Sequence, residues 1–393
     1  MTPLAVTAMA CVSAIGTSLA ETTEALRVRR SGLRPNDFPG MEPVGHIGRI
    51  AAIDAVRLPK ALASFTCRNN RLAFAAATSD GFDEAVHAAR ERYGAARIAV
   101  ILGTSTSGIE ELEQAYRGRG ADRLLPADFP FRDTHDIYSP TRLVKALFGL
   151  DGPALVICTA CSSSANAFGM ASDWIDAGLI DAAIVGGVDS LCLTTLRGFQ
   201  SLDLLSPTPC KPCDADRKGI SIGEAGALVL LERHAPGAGG IGLLGWGASS
   251  DAHHMSTPHP EGLGAQLAIT RALETAGLSA DAIDYVNLHG TGTQFNDAVE
   301  DMAVHAVFGD AVPCSSTKGW TGHALGGAGA LEAIISMIAL RDGFMPGCIL
   351  DNVDPGLRAR VLTGNVDRPI RRVVSNSFGF GGNNCSLVFG RLQ

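Results

Sequence analysis

Two stretches of this chain run through the same succession of local structures. Residues 153–178 pass from an apolar, β-prone run into a Cys- and Ser-rich turn and then into a small-residue helix. Residues 312–343 do so again, through Cys314-Ser315-Ser316-Thr317 and then Gly326-Gly327-Ala328-Gly329-Ala330. Each half then ends in an apolar strand, at 226–231 and at 385–389. Such a repeat points to internal duplication, with the seam in the loop at 234–240 and halves at 1–236 and 237–393. The 393 residues suffice for a large core or for two half-sized units packed together.

Strand-like runs recur along the whole chain, each followed by a Gly-rich turn or a helix-like segment. They fall at 4–8, 98–102, 154–158, 182–185 and 227–231, then at 241–244, 283–288, 312–315, 373–375 and 386–389. Strands alternating with helices predict α/β layers. The 46 glycines and 6% aromatic content fit a tightly packed α/β enzyme. Residues 110–145 are richer in charge and Pro, and read as an excursion from the layered core. A net charge of -8 gives no bulk attraction to nucleic acid or anionic membrane. The opening residues lack a basic region and a sustained apolar stretch, so no signal peptide is expected. No apolar run approaches the roughly 20 residues that span a bilayer. The best candidate, 331–340, is interrupted by Glu332 and reads as a buried helix. Ten cysteines in such a chain read as reduced cytoplasmic thiols.

Cys161 stands where the apolar run 154–158 gives way to the small-residue helix. Free N–H groups at a helix start favour an anion, and a site of this kind is expected to lower a thiol pKa and make a nucleophile. Two Cys-x-x-Cys pairs, Cys158/Cys161 and Cys210/Cys213, have the composition of a zinc site. Against that, Cys158 lies inside the apolar run, where it should pack as a small hydrophobe, and the second pair reads as incidental loop cysteines. His253, His254 and His259 cluster in a loop with two prolines, and no metal is assigned there.

Three further segments carry polar chemistry. They are Asn287-Leu288-His289-Gly290-Thr291-Gly292-Thr293, Ser316-Thr317-Lys318-Gly319-Trp320-Thr321-Gly322-His323-Ala324, and Asn376-Ser377-Phe378-Gly379-Phe380-Gly381-Gly382-Asn383-Asn384. With the Cys161 segment, in this order, they make the chain resemble the elongating β-ketoacyl-acyl-carrier-protein synthases of the thiolase-like superfamily. The resemblance runs from Cys11 to Phe389. Initiating ketosynthases have Asn where His323 stands, and biosynthetic thiolases carry a second catalytic Cys in the final Gly-rich loop, where Phe380 stands here.

The resemblance implies a five-layered α/β/α/β/α fold built from two duplicated halves. It implies Cys161 as nucleophile, His289 and His323 as the paired active-site histidines, and the backbone amides of Cys161 and Phe380 as the oxyanion hole. On residue type alone Lys318 is a surface charge. In the family that lysine holds the electrostatics of the histidine pair, and Glu300, eleven residues after His289, matches a buried acid that pairs with it. Asp251 matches another acid behind the site. Thr291 and Thr293 match the threonines that bind phosphopantetheine amides. Phe380 matches a gate residue, in a loop whose Gly379, Gly381 and Gly382 permit unusual backbone angles and movement. Arg68 and Arg71 stand where the family often meets its acidic carrier protein, although arginines there are ordinarily solvated.

The implied reaction is decarboxylative Claisen condensation of an acyl chain on Cys161 with malonyl-acyl carrier protein, with no cofactor and no metal. The expected assembly is a homodimer, or a heterodimer with a homologous ketosynthase-like subunit. Two rivals share the fold: a non-condensing acyltransferase, which would lose the decarboxylation pair, and a chain-length-factor-like binding subunit, which would lose the nucleophile. Departures from the family pattern are the missing basic residue near Leu204, a short loop at 207–213, and Asn296-Asp297 in place of the commoner Gly-Asp. They suit a dedicated pathway, such as an aryl polyene or polyketide-type one, as an alternative to housekeeping fatty-acid synthesis.

Overall fold

The computed structural model describes every residue except Pro236, Ala238 and Gln393. The boundary placed at 236/237 therefore touches positions outside the described residues. An 11-stranded mixed sheet runs through the molecule, and its order repeats about a centre where Leu4 pairs with Leu243 and Ala5 with Gly242. Outward on one side lie Leu4–Ser13, Ala225–Arg233, Ala182–Asp189, Ile98–Gly103 and Ala154–Ile157. Outward on the other lie Ile241–Ser250, Asn383–Arg391, Arg372–Gly379, Tyr285–Asn287 and Pro313–Ser315, with Arg360–Val361 added at the edge. The pairing senses match on the two sides: antiparallel, antiparallel, parallel, parallel. All ten predicted strands are present. Those ending in small or polar residues, such as 182–185 and 373–375, extend further than their apolar runs, because neighbouring strands pair the backbone regardless of side chain.

Five layers result. The helices Ser163–Asp176 and Ala328–Asp342 share one apolar cluster with strands from both sides. Helices Arg68–Ala77, Phe82–Tyr93 and Ser139–Phe148 cover the outer face of the first half. Leu263–Ala276 and Gln294–Phe308 cover the second. Ala328–Asp342 is buried at every residue through Leu340, including Glu332, so it is apolar on nearly all sides, as a helix between the two wings of the sheet must be. Its close fit depends on small residues: a Cβ on Gly329 would lie 2.8 Å from Ser377 Oγ and 2.9 Å from the backbone nitrogen of Ala165.

The charged excursion is shorter than its composition implied. Ile109–Arg117 buries no residue, but Ser139–Phe148 returns to the core and buries Leu143 and Val144. The strand Ala154–Ile157 is half-exposed at all four residues and Cys158 is exposed. The expectation that Cys158 packs in the core is therefore corrected. The strand has a neighbour on one side only, Ile98–Gly103, so its apolar run lies along an open sheet edge. Among the described residues no helix is long and apolar enough to cross a membrane.

Replacing Gly329 by Ala should cost about 1–3 kcal/mol through overpacking between the two central helices. Calorimetric unfolding of the purified variant checks this, and an unchanged midpoint would contradict the close fit.

Candidate active site

Cys161 sits in the short 3₁₀ turn Ala160–Ser162, immediately before the helix Ser163–Asp176. Ala160 has φ 51°, a left-handed conformation that a residue with a Cβ adopts only when its surroundings enforce it. The turn is fixed by side-chain bonds: Thr159 N donates to Ser163 Oγ at 2.9 Å, and Ser162 Oγ donates to Thr159 O at 2.9 Å. The Cys161 side chain thus emerges at the head of the helix and faces the second half of the molecule.

The second half delivers both histidines to it. His289 follows the strand Tyr285–Asn287, and His323 follows the short helix Lys318–Thr321. Cys161 Sγ and a ring nitrogen from each histidine lie within 4.8 Å of one another. His323 Nε2 is 3.1 Å from Sγ, and the imidazole centroids are 5.3 Å apart, nearly edge to face. Each ring has one nitrogen occupied from behind. Leu325 N donates to His323 Nδ1 at 3.0 Å, and Lys318 Nζ donates to His289 Nδ1 at 3.3 Å. Neither donor can accept, so the proton of each neutral ring belongs on Nε2. Burial, and then the Lys318 charge, hold both histidines well below the ordinary value, and His323 adds to the effect on His289. Two neutral Nε2–H donors therefore converge beside one thiol.

Lys318 is fully buried, which corrects the expectation from residue type. Its ammonium also bonds His289 O and Glu332 Oε1. Glu332 is the functional residue missed in the sequence, where it registered only as an interruption in an apolar run. The signal was there, because a carboxylate inside a buried helix needs a cation. Burial pushes Glu332 up to about 7, against the pull of Lys318. Glu300 is buried too, but it pairs with neither the His289 ring nor Lys318. It accepts from the backbone N–H groups of His289 and Gly290, both at 2.7 Å, and from Asn376 Nδ2 at 3.2 Å. It fixes the loop that carries the histidine. Burial raises it to about 7, with those N–H groups pulling down.

The expected lowering of the thiol pKa is not found in the free chain. Burial pushes Cys161 up to about 11, outweighing Lys318 and the N–H groups of Phe380 and Cys161 itself. Those two amides act on the sulfur in the lowering direction. Gly379 is required for a different reason from the one expected. Its φ is -109°, open to any residue, but a Cβ would lie 2.9 Å from Thr159 O and 3.1 Å from Cys161 N. Gly381 and Gly382 do have left-handed angles, φ 79° and 73°. The loop is tied at both: Gly381 N donates to Met255 O at 2.7 Å, and Asp251 N donates to Gly382 O at 2.8 Å. Asp251 also accepts from Asn384 Nδ2 at 2.8 Å and His259 N at 3.1 Å, so it fastens the histidine-rich loop to the Gly-rich one.

A cavity of about 270 Å³ opens onto this centre, with Cys161, His289 and His323 at its base. Thr291 and Thr293 line it, with hydroxyls 2.9 Å apart. Phe380 lines it near the mouth, its ring 5.8 Å from Phe199. Phe378, which carried no assignment in the sequence, stands with its ring 6.3 Å from His289. Cys210 and Cys213 are not incidental: both are buried, with Cys210 Sγ bonding Lys318 O at 3.2 Å and Cys213 N donating to Asp297 Oδ2 at 2.9 Å. Asp297 in turn accepts from Gly292 N at 3.1 Å, steadying the threonine loop. Arg68 is corrected as a partner contact. It is buried, bonded to Glu224, Asp54 and Ile50 O, and presents no free charge. Arg71 is half-buried. Cys161, His289 and His323 form a set that could in principle ligate a metal, but the ammonium 3.3 Å from His289 Nδ1 opposes a cation there.

Family models agree with this geometry. Residues 1–236 match the β-ketoacyl synthase N-terminal domain, and residues 242–350 match the β-ketoacyl synthase C-terminal domain. The chain belongs to the β-ketoacyl synthase family. Its activity class is that of a 3-oxoacyl-acyl-carrier-protein synthase, an acyltransferase. It is 34% identical to 3-oxoacyl-[acyl-carrier-protein] synthase 2 of Mycobacterium bovis, over 98% of this chain and 96% of that one. It is 40% identical to the mitochondrial 3-oxoacyl-[acyl-carrier-protein] synthase of Arabidopsis thaliana, over 63% of this chain and 59% of that one. Among solved structures, the ketosynthase ApeO in complex with its chain length factor ApeC from Xenorhabdus doucetiae superposes with TM-score 0.89 at 38% identity, covering 99% of this chain and 98% of that one. A β-ketoacyl synthase from Burkholderia phymatum gives 0.86 at 26% identity, with both chains fully covered.

Neutral buried histidines make a signed prediction. The unfolded chain takes up protons at both positions near pH 6.5 and the folded chain does not. Each histidine therefore removes stability as pH falls below that value, by up to about 1.4 kcal/mol per pH unit. Glu300 and Glu332 act in the opposite sense: raised to about 7, they add stability below the ordinary carboxylate range and lose it as pH rises through 7. Urea unfolding from pH 7 to pH 5 should therefore show His289→Gln/His323→Gln gaining stability relative to the parent as pH falls. A constant difference across that range would mean that the rings are charged in the folded state.

Proposed function

We propose that this chain catalyses decarboxylative condensation, with Cys161 as nucleophile and His289 and His323 as neutral donors to the thioester oxygen of the extender. The observation that carries the reading is the pair of Nε2–H groups, each fixed from behind, beside a single thiol. In the first half-reaction Sγ attacks the acyl thioester on phosphopantetheine. The Sγ–acyl bond forms, the pantetheine sulfur leaves, and the thiol proton passes to it. The N–H groups of Cys161 and Phe380 stabilise the oxyanion, a contact of the kind worth about 3 kcal/mol per donor. In the second, the malonyl carboxylate leaves as CO2 and its electron pair becomes an enolate, stabilised by the two imidazoles. The enolate carbon attacks the acyl carbon and the bond to Sγ breaks. The departing thiolate, with a resting pKa of about 11, takes a proton and returns to the thiol. The product is a 3-oxoacyl thioester two carbons longer.

Neutral histidines suit this chemistry because a charged imidazole would trap the carboxylate instead of releasing it. Lys318 and Glu332 hold the pair neutral and oriented, and Glu300, Asp251 and Asp297 fix the loops around them. In this reading Thr291 and Thr293 hydrogen-bond the pantetheine amides and Phe380 gates the cavity, which all three line. The reaction needs no metal and no cofactor beyond the carrier's arm. The presence of both histidines and the cysteine weighs against the acyltransferase and chain-length-factor readings.

The substrate is delivered by an acyl carrier protein, and the assembly is a dimer, either of two copies or with a homologous ketosynthase-like subunit. The half-exposed apolar strand Ala154–Ile157 supports a subunit contact. The likeness to ApeO, solved with a chain length factor, supports the heterodimer and a polyene- or polyketide-type pathway beside fatty-acid synthesis. A cytoplasmic location fits ten unpaired cysteines.

Incubated with acyl- and malonyl-carrier proteins, the enzyme should release CO2 in step with 3-oxoacyl product, and mass spectrometry should place the acyl group on Cys161. Acyl transfer without condensation would sink this reading, as would full acylation of Cys161→Ala. At the mouth, Phe295 is 71% exposed and Leu202 53%, and among the described residues that line the cavity there is no Lys or Arg. Carrier contact at this rim should therefore be apolar. Phe295→Asp should raise KM for the malonyl carrier about fivefold, the ~1 kcal/mol typical of a contributing interface side chain, with kcat little changed. An unchanged KM would place the carrier elsewhere.

A further inference from the structure

Asp189 ends the strand Ala182–Asp189 and has no part in the roles above. Its carboxylate is fully buried and faces donors only. Oδ1 accepts from Thr104 Oγ1, Ser105 N and Thr106 N, each at 2.8 Å, and from Thr106 Oγ1 at 2.7 Å. Oδ2 accepts from Ser105 N at 3.0 Å and from Gly326 N at 2.6 Å. Five donors converge on one group. Four belong to the segment that follows Ile98–Gly103 in the first half. The fifth, Gly326, belongs to the second half, three residues beyond His323.

The backbone between Gly326 and His323 is strained. Leu325 has φ 51°, a left-handed conformation that a residue with a Cβ holds only where neighbours enforce it. Two bonds enforce it here. Leu325 N donates to His323 Nδ1, and the next N–H, that of Gly326, donates to Asp189. Gly326 has no room to slip: a Cβ there would lie 2.8 Å from Ser105 Oγ and 2.9 Å from Asp189 Oδ2.

We propose that Asp189 is a positioning residue for His323. By anchoring Gly326 from the opposite half, it holds the turn Leu325–Gly327 so that the Leu325 N–H keeps the His323 proton on Nε2, 3.1 Å from Cys161 Sγ. The inference rests on the reading of His323 as a donor to the thioester oxygen, and it assigns the control of that donor to a carboxylate outside the cavity.

The test uses the enzyme and four readouts: CO2 release from malonyl-carrier protein, acyl loading of Cys161 by intact-mass spectrometry, the tautomer of His323 from ¹⁵N shifts of labelled histidine, and the thermal unfolding midpoint. Asp189→Ala should slow decarboxylation on the order of tenfold to a hundredfold, the range for a misplaced transition-state donor, and should move His323 from one tautomer to a mixture. Acyl loading should change about threefold or less, since burial, the amides and Lys318 set the thiol. Asp189→Asn retains one carbonyl oxygen and should fall between the two. Thr106→Val removes a donor from Oδ1 and leaves the Gly326 bond, so it should lower the unfolding midpoint without moving the tautomer. If Asp189→Ala does not fold, Gly326→Ala presses on the same bond with the carboxylate in place. Unchanged decarboxylation and tautomer in the Asp189 variants, or a tautomer shift in Thr106→Val as large as theirs, would overturn the inference. Absence of CO2 release from the parent enzyme would instead fail the condensation reading, and the tautomer measurement would still decide the role of Asp189.

Discussion

A buried ammonium sets the terms of this active site. Lys318 has no exposed surface and spends its three donors on Glu332, the His289 carbonyl and the His289 ring. Placing a charge there is expensive unless it is paired and fully bonded. Glu332 comes from the central helix, His289 from the end of a strand and Lys318 from a short helix between them, so the ion pair fixes three elements at once. Burial, and then the field of this ammonium, keep a second proton off either imidazole. A neutral pair is what separates a site that can release carbon dioxide from one that would bind a carboxylate. The same positive charge favours a thiolate, yet desolvation prevails and keeps Cys161 protonated at rest.

Much of the fold was legible in the sequence because its signals are local. Apolar runs bounded by glycine mark the strands, and the repeated strand–turn–helix unit marks the duplication. The four motifs located the cysteine, the histidines and the threonines, since each is carried on a loop at a strand or helix end. The second tier was harder to read. Glu332 lies fourteen positions beyond Lys318 in a different element, and Asp189 meets Gly326 across 137 positions. Partnerships of this kind are made by topology, and residue type alone gives the wrong environment, as it did for Lys318 and for Arg68. Cys158 was misplaced for a related reason: an apolar run does not say whether its strand is central or at an edge.

Electrostatic direction was also beyond the sequence. A helix start predicts a lowered thiol pKa, and the N–H groups that would lower it are in place. What outweighs them is the completeness of burial, which depends on the Gly-rich loop from the other half closing over the sulfur. The loop's tether to the segment around Asp251 and Met255 is likewise a matter of two distant loops meeting.

The two halves meet across surfaces with almost no side-chain volume to spare. A Cβ on Gly169 of the first half would lie 2.4 Å from the Trp246 ring of the second, and one on Gly187 would lie 3.0 Å from Gly326 O. Such faces cannot change separately, because any atom added on one side demands an atom removed on the other. The outer helical layers carry no such constraint. The inner faces also divide the polar groups of the site, Cys161 lying on one and both histidines on the other. Neither half holds the set alone, so the site exists only while the two stay in contact.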